Sequence, residues 1–123
     1  ASDPARGFSS AELADEFDIS RHHLTKIIQR LSQAGVVTTR RGGGGGATLA
    51  KPANKIRLGD VVRWLEEDQA LVDCFMPGGG ICTIKSCCRL KSRLRAAEHS
   101  FIESLNTSTL ADVALPALAT GAC

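Results

Sequence analysis

Apolar residues recur at helical spacing in the first third of the chain. Ser9 and Glu12 form the pattern of a capping box, in which the serine accepts a hydrogen bond from a free amide and the glutamate reaches back, so a first helix is predicted to begin there. Ser20 is a favourable cap for a second helix, which is predicted to end at Gly35, where glycine adopts the left-handed cap. One face of this second helix carries apolar residues at positions i, i+3, i+4 and i+7: Leu24, Ile27, Ile28 and Leu31. Two short helices joined by about three residues are typical of a helix-turn-helix.

The pattern then changes from helical to strand-like. Residues 36–39 are all β-branched and predict a strand, and residues 47–49 predict a second strand. Arg40, Arg41 and five consecutive glycines at residues 42–46 lie between them, so we predict a hairpin wing with a basic tip. Arginines at such a tip can enter a narrow minor groove of DNA. A nucleotide-binding phosphate loop is disfavoured because no Gly-Lys-Ser or Gly-Lys-Thr follows and no helix is predicted to begin there.

Helical spacing returns in the second half of the chain. Residues 56–67 predict one helix, residues 89–105 predict a long helix, and residues 110–114 predict a short closing helix. The long helix has an apolar stripe with spacings of three or four residues: Leu90, Leu94, Ala97, Phe101 and Leu105. Because little chain remains to cover this stripe, we predict that it packs against a second copy in a symmetric homodimer and is a dimerisation helix.

Composition favours a mainly α-helical fold. Hydrophobic residues make up 43% of the chain and charged residues 23%, but aromatic residues only 4%, so an aliphatic core suited to helix packing is expected. The sequence has no stretch of eighteen apolar residues and no secretory signal pattern, so we expect a cytoplasmic protein without a membrane partner. The chain starts without a methionine, and we expect that its natural beginning precedes Ala1.

Charge changes the picture more than composition does. Residues 19–59 contain eight lysine or arginine residues and no aspartate or glutamate, whereas the rest of the chain contains seven basic and thirteen acidic residues. An acid-free segment that spans a predicted helix-turn-helix and wing is typical of a nucleic-acid surface, although a solvated face produces the same pattern. We predict that the following residues contact double-stranded DNA at a palindromic operator: Ser20, Arg21, His22, His23, Thr25, Lys26, Arg30, Arg40, Arg41 and Gly42.

Four of the five cysteines fall within fifteen residues, beside three glycines at residues 78–80 that let the loop curl. Without a secretory signal, this cluster predicts metal binding or redox chemistry in preference to a disulfide framework. The residues alone leave three interpretations open: an iron–sulfur cluster, a zinc site, or redox-active thiols without metal. An enzyme is not expected, because the histidines at positions 22, 23 and 99 have no carboxylate and nucleophile arranged beside them.

Several segments, in order and spacing, resemble a family of iron–sulfur winged-helix transcriptional regulators that includes NsrR, IscR and RirA. These segments are residues 19–26, 34–37, 41–46, 56–63, 88–91 and 109–112, together with Phe101. The resemblance covers nearly the whole chain, and residues 88–91, Phe101 and residues 109–112 are most similar to the nitric-oxide-responsive NsrR branch. It implies a mainly α protein, a winged helix-turn-helix with a long dimerisation helix and a cysteine-rich cluster loop.

The resemblance also implies a division of the chain. Residues 1–56 are similar to the DNA-binding domain, although they lack the first helix of family members. Residues 57–123 are similar to the part that holds a linker helix, the cluster-binding loop (74–88) and the dimerisation helix (89–105).

On this resemblance Cys74, Cys82 and Cys88 are ligands of an iron–sulfur cluster, 2Fe–2S or 4Fe–4S, and Cys87 is an extra thiol. The function that it implies is a repressor whose operator affinity is controlled by the cluster and responds to nitric oxide. Lys91 stands where IscR-type members carry a histidine, which argues against that branch. The seven-residue gap after Cys74 is similar to the iron-responsive RirA, so an iron sensor is an alternative, as is a cluster-free thiol sensor or a zinc-stabilised DNA-binding protein.

Overall fold

The computed structural model describes residues 7–42, 46–66 and 69–115. Within these ranges the chain forms a mainly helical structure with one two-stranded antiparallel sheet. Its elements are α1 (Ser10–Phe17), α2 (Arg21–Gln33), β1 (Val37–Arg40), β2 (Gly46–Leu49), α3 (Leu58–Leu65) and α4 (Leu90–Leu105). Single 3-10 turns lie at Ala53–Lys55, Asp73–Phe75 and Leu110–Val113. Helices α1 and α2 with the β1–β2 hairpin form the helix-turn-helix and wing that the sequence predicts.

The caps of the first two helices confirm the local predictions. The Ser9 hydroxyl accepts a hydrogen bond from the amide of Glu12 at 3.1 Å, and the Glu12 carboxylate accepts one from the amide of Ser9 at 2.8 Å. The Ser20 hydroxyl accepts the amide of His23 at 3.0 Å and begins α2. After α2, Gly35 adopts a positive φ of 69°, which turns the chain into the first strand.

The wing is a four-residue hairpin in which Val37 pairs with Leu49 and Arg40 pairs with Gly46. Sequence periodicity did not predict its third partner, Phe8, which forms an isolated antiparallel bridge with Ala47. Two backbone hydrogen bonds of 3.1 Å and 2.7 Å make this bridge. The chain that leads into α1 is thereby fixed against the base of the wing. The centre of the glycine tip, residues 43–45, lies outside the described residues.

Helix α3 begins two residues later than predicted, because the backbone before it is paired elsewhere. The Ile56 carbonyl accepts a hydrogen bond from the amide of Leu110 at 2.8 Å, and the Leu58 amide donates to the carbonyl of Ser108 at 3.1 Å. Ile56 is therefore extended and buried instead of helical. The same pairing restricts the closing segment to a 3-10 turn instead of the predicted helix.

The cap of that closing turn is Thr109. The amide and the hydroxyl of Thr109 donate to the Asp112 carboxylate at 2.6 Å and 2.9 Å. These hydrogen bonds, the backbone one first, lower the pKa of Asp112 below its ordinary value.

The core is small and is assembled from several elements. Among the described residues, the nearly enclosed apolar side chains are Ala14, Leu24, Val36, Ile56 and Ile102. Helix α3 packs on α4 so closely that a Cβ at Gly59 would clash with the carbonyl oxygen of Ile102 and with the side chain of Asn106. Glycine is thus required at position 59 for the two helices to make contact.

Candidate DNA-binding surface and cysteine segment

The outer face of α2 presents the predicted cationic and polar residues to solvent. The side chains of Arg21, His22, His23, Thr25 and Lys26 are all exposed. The Thr25 hydroxyl donates to the carbonyl of Arg21 at 2.8 Å. Its lone pairs and its methyl group therefore remain for an acceptor contact or for contact with a thymine methyl.

The start of α2 is also suited to a phosphate. The Ser20 hydroxyl uses a lone pair for the His23 amide and keeps its proton for an anionic oxygen. No acidic residue lies in the first turn of the helix. The free amides at a helix N-terminus carry partial positive charge, so this end of α2 complements the DNA backbone.

Arg30 has a different contact from the one that the sequence suggested. It is half-buried, and its guanidinium donates from Nη1 to the carbonyl oxygen of Leu65, the last residue of α3, at 2.8 Å. Carbonyls in the last turn of a helix have no partner within the helix, and an arginine is a favourable donor to them. Helical periodicity placed Arg30 on the outer face, but its long side chain bonds to α3. We therefore assign Arg30 to the packing of α2 on α3, and its contact with DNA stays a prediction.

The wing continues the cationic surface beyond α2. Arg40 ends β1, and Arg40, Arg41 and Gly42 are all exposed. A cleft of about 370 Å³ separates the wing from the first two helices, and hydroxyl, amide and guanidinium groups of Ser10, Thr25, Gln29 and Arg40 line it. The first acidic residue after this surface, Asp60, is hydrogen-bonded to Asn106 of α4. The sequence correctly predicted that this surface is positively charged, because the segregation of basic from acidic residues is visible along the chain.

The first half of the cysteine segment is a loop folded back on itself. Cys74 lies in the 3-10 turn Asp73–Phe75 and is half-buried. Gly78 and Gly79 both have a positive φ, and the amide of Gly80 returns to the carbonyl of Asp73 at 3.2 Å. The expectation that the glycines let the loop curl is confirmed.

The second half of the segment consists of consecutive turns that lead into α4. The amide of Cys87 donates to the carbonyl of Ile84 at 3.0 Å, and the Cys87 thiol contacts the same oxygen at 3.6 Å. Cys82 and Cys88 are half-buried, whereas Cys87 is exposed, and all four described cysteines are free thiols. Cys123 lies outside the described residues.

The structure does not bring Cys74, Cys82 and Cys88 together. Within the described ranges, no three histidine, cysteine, aspartate or glutamate side chains are grouped closely enough to hold one metal ion. The donor chemistry nevertheless fits a thiolate-ligated cluster, since three free thiols lie in one glycine-hinged loop. Ligands of this kind often converge only when the metal binds.

The cysteine segment contacts α4 through an aromatic side chain. The guanidinium of Arg95 lies 4.7 Å from the ring centre of Phe75, which is the residue after Cys74. This is a cation–π contact, and it attaches the 3-10 turn that carries Cys74 to the first half of α4. Sequence reasoning did not identify this pair, because twenty residues separate the two positions.

Helix α4 has an exposed apolar face. Leu90 is 61% exposed and Phe101 is 56% exposed, although both belong to the predicted apolar stripe. Ile102, outside that stripe, is the residue of α4 that is buried against the rest of the chain. A broad cleft of about 1370 Å³ lies beside this face, between α3 and α4.

Comparisons with known proteins agree with this architecture. The family described as "Rrf2: Iron-dependent Transcriptional regulator" matches residues 1–115. IscR of T. potens has a similar structure, with a TM-score of 0.63 and 28% identity over 87% of this chain and 68% of that chain. CymR of B. subtilis, titled the global cysteine regulator, has a TM-score of 0.63 and 26% identity over 89% of this chain and 78% of its own. CymR of Staphylococcus aureus has a TM-score of 0.59 and 25% identity, over 94% and 81% of the two chains.

These matches extend across the helix-turn-helix, the wing and α4. The family is described as one of transcriptional regulators. No described helix is long and apolar enough to cross a membrane. These matches do not assign the chain to the NsrR branch in particular. From its family match, its winged fold and its cationic surface, the chain belongs to the Rrf2 family of DNA-binding transcriptional regulators.

Proposed function

We propose that this protein is a dimeric cytoplasmic repressor that binds a palindromic operator and releases it when its cysteine segment changes state. The observation that carries the proposal is the exposed, acid-free surface formed by α2 and the wing. In the finer form of the proposal, the cysteine segment holds an iron–sulfur cluster and nitric oxide is the signal. The family's iron-dependent description supports this form.

DNA affinity in this proposal comes mainly from phosphate contacts. Four exposed cations of α2 and the wing, Arg21, Lys26, Arg40 and Arg41, lie in the acid-free segment, and the exposed Lys51 follows the wing. Each neutralised phosphate releases counterions, so affinity falls steeply as salt is added. His22, His23 and Thr25 supply hydrogen-bonding groups for base edges in the major groove.

The charge pattern of α4 supports a two-fold dimer. Lys91, Arg93 and Arg95 lie in the first half of the helix, whereas Glu98 and Glu103 lie in the second half. Antiparallel packing of two such helices places the cationic half of each against the acidic half of the other. It also covers the exposed apolar stripe on both copies. A two-fold axis through α4 presents two copies of α2, as a palindromic operator requires.

In the cluster form of the proposal, Cys74, Cys82 and Cys88 would hold the cluster. The cluster supplies iron–thiolate bonds that are sensitive to nitric oxide. The glycines at residues 78–80 allow the loop to bring its thiols together, and the Phe75–Arg95 contact joins the loop to α4. A change in the loop therefore acts directly on the helix that we place at the dimer axis.

The test begins with anaerobic purification and measurement of iron and acid-labile sulfide. Operator binding is followed by fluorescence anisotropy with a duplex selected from random sequences. We expect a coloured protein whose operator affinity falls at least about tenfold, or about 1.4 kcal/mol, when nitric oxide is added. Combined replacement of Cys74, Cys82 and Cys88 by serine abolishes iron binding, whereas the matched control Cys87→Ser retains it. If the operator affinity responds to iron removal and not to nitric oxide, the protein is an iron sensor and not a nitric-oxide sensor.

A second candidate function is a cluster-free thiol sensor. The observation in its favour is that, among the described residues, the three half-buried thiols are not grouped closely enough to hold one metal ion. The similarity to a protein titled a cysteine regulator also supports it. A colourless protein whose operator affinity responds to a thiol oxidant, and recovers with dithiothreitol, establishes this function. Bound zinc without such a response indicates a purely structural site.

A further inference from the structure

Helix α3 is bonded at its two ends to two different helices. It has eight residues and is therefore about 12 Å long. At its start it contacts the end of α4, and at its end it contacts α2, which carries the DNA-contacting face.

The first turn of α3 is capped by a side chain from α4. The residue before the helix, Arg57, makes no side-chain cap. Instead, the amide of Asp60 donates to Oδ1 of Asn106 at 3.1 Å, and Nδ2 of Asn106 donates to the Asp60 carboxylate at 3.3 Å. Asn106 is itself the C-cap residue of α4, so a single half-buried side chain joins the end of one helix to the start of the other. Gly59 permits the close approach that this bond pair needs.

The last turn of α3 is held from α2. Leu65 ends the helix, and its carbonyl accepts the guanidinium of Arg30 at 2.8 Å. Lys26, one turn earlier on α2, is exposed. Two basic residues of one helix thus have different surroundings: Lys26 is exposed to solvent, and Arg30 is bonded to the end of α3.

We propose that α3 transmits the state of the cysteine segment to α2, with Asn106 and Arg30 as the positioning residues at its two ends. The inference deepens the proposed function and rests on it. The path starts at the 3-10 turn that carries Cys74, passes through Phe75 and Arg95 to α4, and reaches α3 through Asn106. It ends at Arg30, where a shift of α3 changes the orientation of α2. A helix transmits such a shift because it is rigid along its axis and both of its ends are bonded.

The measured quantity is the ratio of operator dissociation constants in the two states of the cysteine segment, with and without cluster or with reduced and oxidised thiols. Couplings between sites are typically about 5- to 150-fold in such a ratio. Arg30→Met keeps the aliphatic stem and removes the donors, and Asn106→Leu keeps the branching at Cγ and removes both hydrogen bonds. We expect each variant to lower the ratio to about twofold or less, and the double variant to lower it no further, since both act through one helix.

Matched controls separate positioning from direct contact and from general damage. Lys26→Met lies on the same helix and is expected to weaken operator binding in both states while leaving the ratio unchanged. Asn54→Leu alters an exposed asparagine and is expected to change neither affinity nor ratio. Arg30→Gln and Asn106→Ser are tested in parallel as second variants. If one variant does not fold, the other variant at the same end of α3 still gives the measurement.

Hydrogen exchange of residues 58–65 shows which of the two positioning residues acts before α3 and which acts after it. In the unsubstituted protein, exchange in α3 is expected to differ between the two states. Asn106 variants are expected to abolish this difference, whereas Arg30 variants are expected to keep it, because Arg30 acts after α3. If the unsubstituted protein shows a ratio of one, the proposed function itself fails. If the unsubstituted ratio is large and Arg30 and Asn106 variants retain it, with both affinities lowered equally, the two residues are merely structural and the inference is wrong.

Discussion

Replacing Gly59 by alanine tests the contact between α3 and α4 on which the coupling depends. The added Cβ would meet the backbone carbonyl oxygen of Ile102, which is part of a helix and does not move easily, as well as the side chain of Asn106. To relieve the clash, α3 must move away from α4, and Asn106 then loses its two hydrogen bonds to Asp60. The substitution is therefore expected to destabilise the protein, even though alanine is the better helix former.

The expected magnitude follows from three opposing effects. Overpacking a close contact costs about 1–3 kcal/mol, and each lost hydrogen bond costs about 0.5–1.5 kcal/mol. Alanine in place of glycine inside a helix returns about 1 kcal/mol. The net loss is therefore about 1–5 kcal/mol in the free energy of unfolding, which lowers Tm by roughly 5–20 °C in a chain of this size.

Thermal unfolding followed by circular dichroism, at a fixed protomer concentration, measures this loss. The matched control is Gly35→Ala, where nothing lies within 4 Å of the new Cβ and only the positive φ is strained. We expect it to cost about 1–2 kcal/mol. The double variant Gly59→Ala with Asn106→Ala should cost less than the sum of its parts, because the shorter side chain removes one of the two clashes. A Tm for Gly59→Ala that is equal to or higher than that of the unsubstituted protein contradicts the close helix contact.

Three further predictions concern DNA, the dimer and pH. Removing the charge of Lys26 or Arg41 should weaken binding to specific and random duplexes alike and reduce the slope of log K against log salt by about 1 per lost phosphate contact; a slope that stays the same removes that residue from the interface. Phe101→Glu places a charge on the apolar face of α4 and should shift sedimentation from dimer to monomer, whereas Arg63→Glu on α3 should not. Hydrogen bonds from Thr109 lower the pKa of Asp112, so its contribution to stability is present above the ordinary value of 3.8 and is lost as pH falls through the lowered pKa. The difference in Tm between the protein and its Asp112→Asn variant should therefore disappear in strong acid, and a difference that persists there contradicts the assignment.

The sequence predicted the elements whose causes are local. The capping residues Ser9 and Ser20 bond to amides three residues away, so their helices could be placed before any fold was known. The hairpin follows from the β-branched residues 36–39 before the glycine tract and from a second strand-like segment after it, and the positive sign of the surface follows from charge counting. Each of these features depends on residues within one short window.

The features that sequence reasoning missed depend on contacts between distant segments. The start of α3 is set by Leu110, which bonds to Ile56 across more than fifty residues. Periodicity assigned Arg30 to a face of α2 but could not locate the end of α3, and the partner of a long side chain is decided by what lies within its reach. Sequence analysis assigned no role to Asn106, since its partner Asp60 is 46 positions away. The four clustered cysteines predict thiolate chemistry, but the distances between the thiols depend on the path of the whole loop.

The distribution of burial links the cysteine segment to the proposed dimer. Four of the five enclosed side chains belong to the part of the chain before α3, while Ile81, Ile84, Leu90 and Phe101 are exposed. A surface with this many exposed apolar residues is usually covered by another molecule. If a second copy covers α4, then the turn attached to α4 through Phe75 and Arg95 lies beside the interface, and subunit association and cysteine state become thermodynamically linked. Linkage is reciprocal, so the dimer dissociation constant must change when the cysteines change state. Dimerisation must in turn change the affinity of the cysteine segment for its ligand by the same factor. Sedimentation of the protein in both states, without any DNA, decides the matter: equal dissociation constants mean that the signal reaches α2 without passing through the dimer interface.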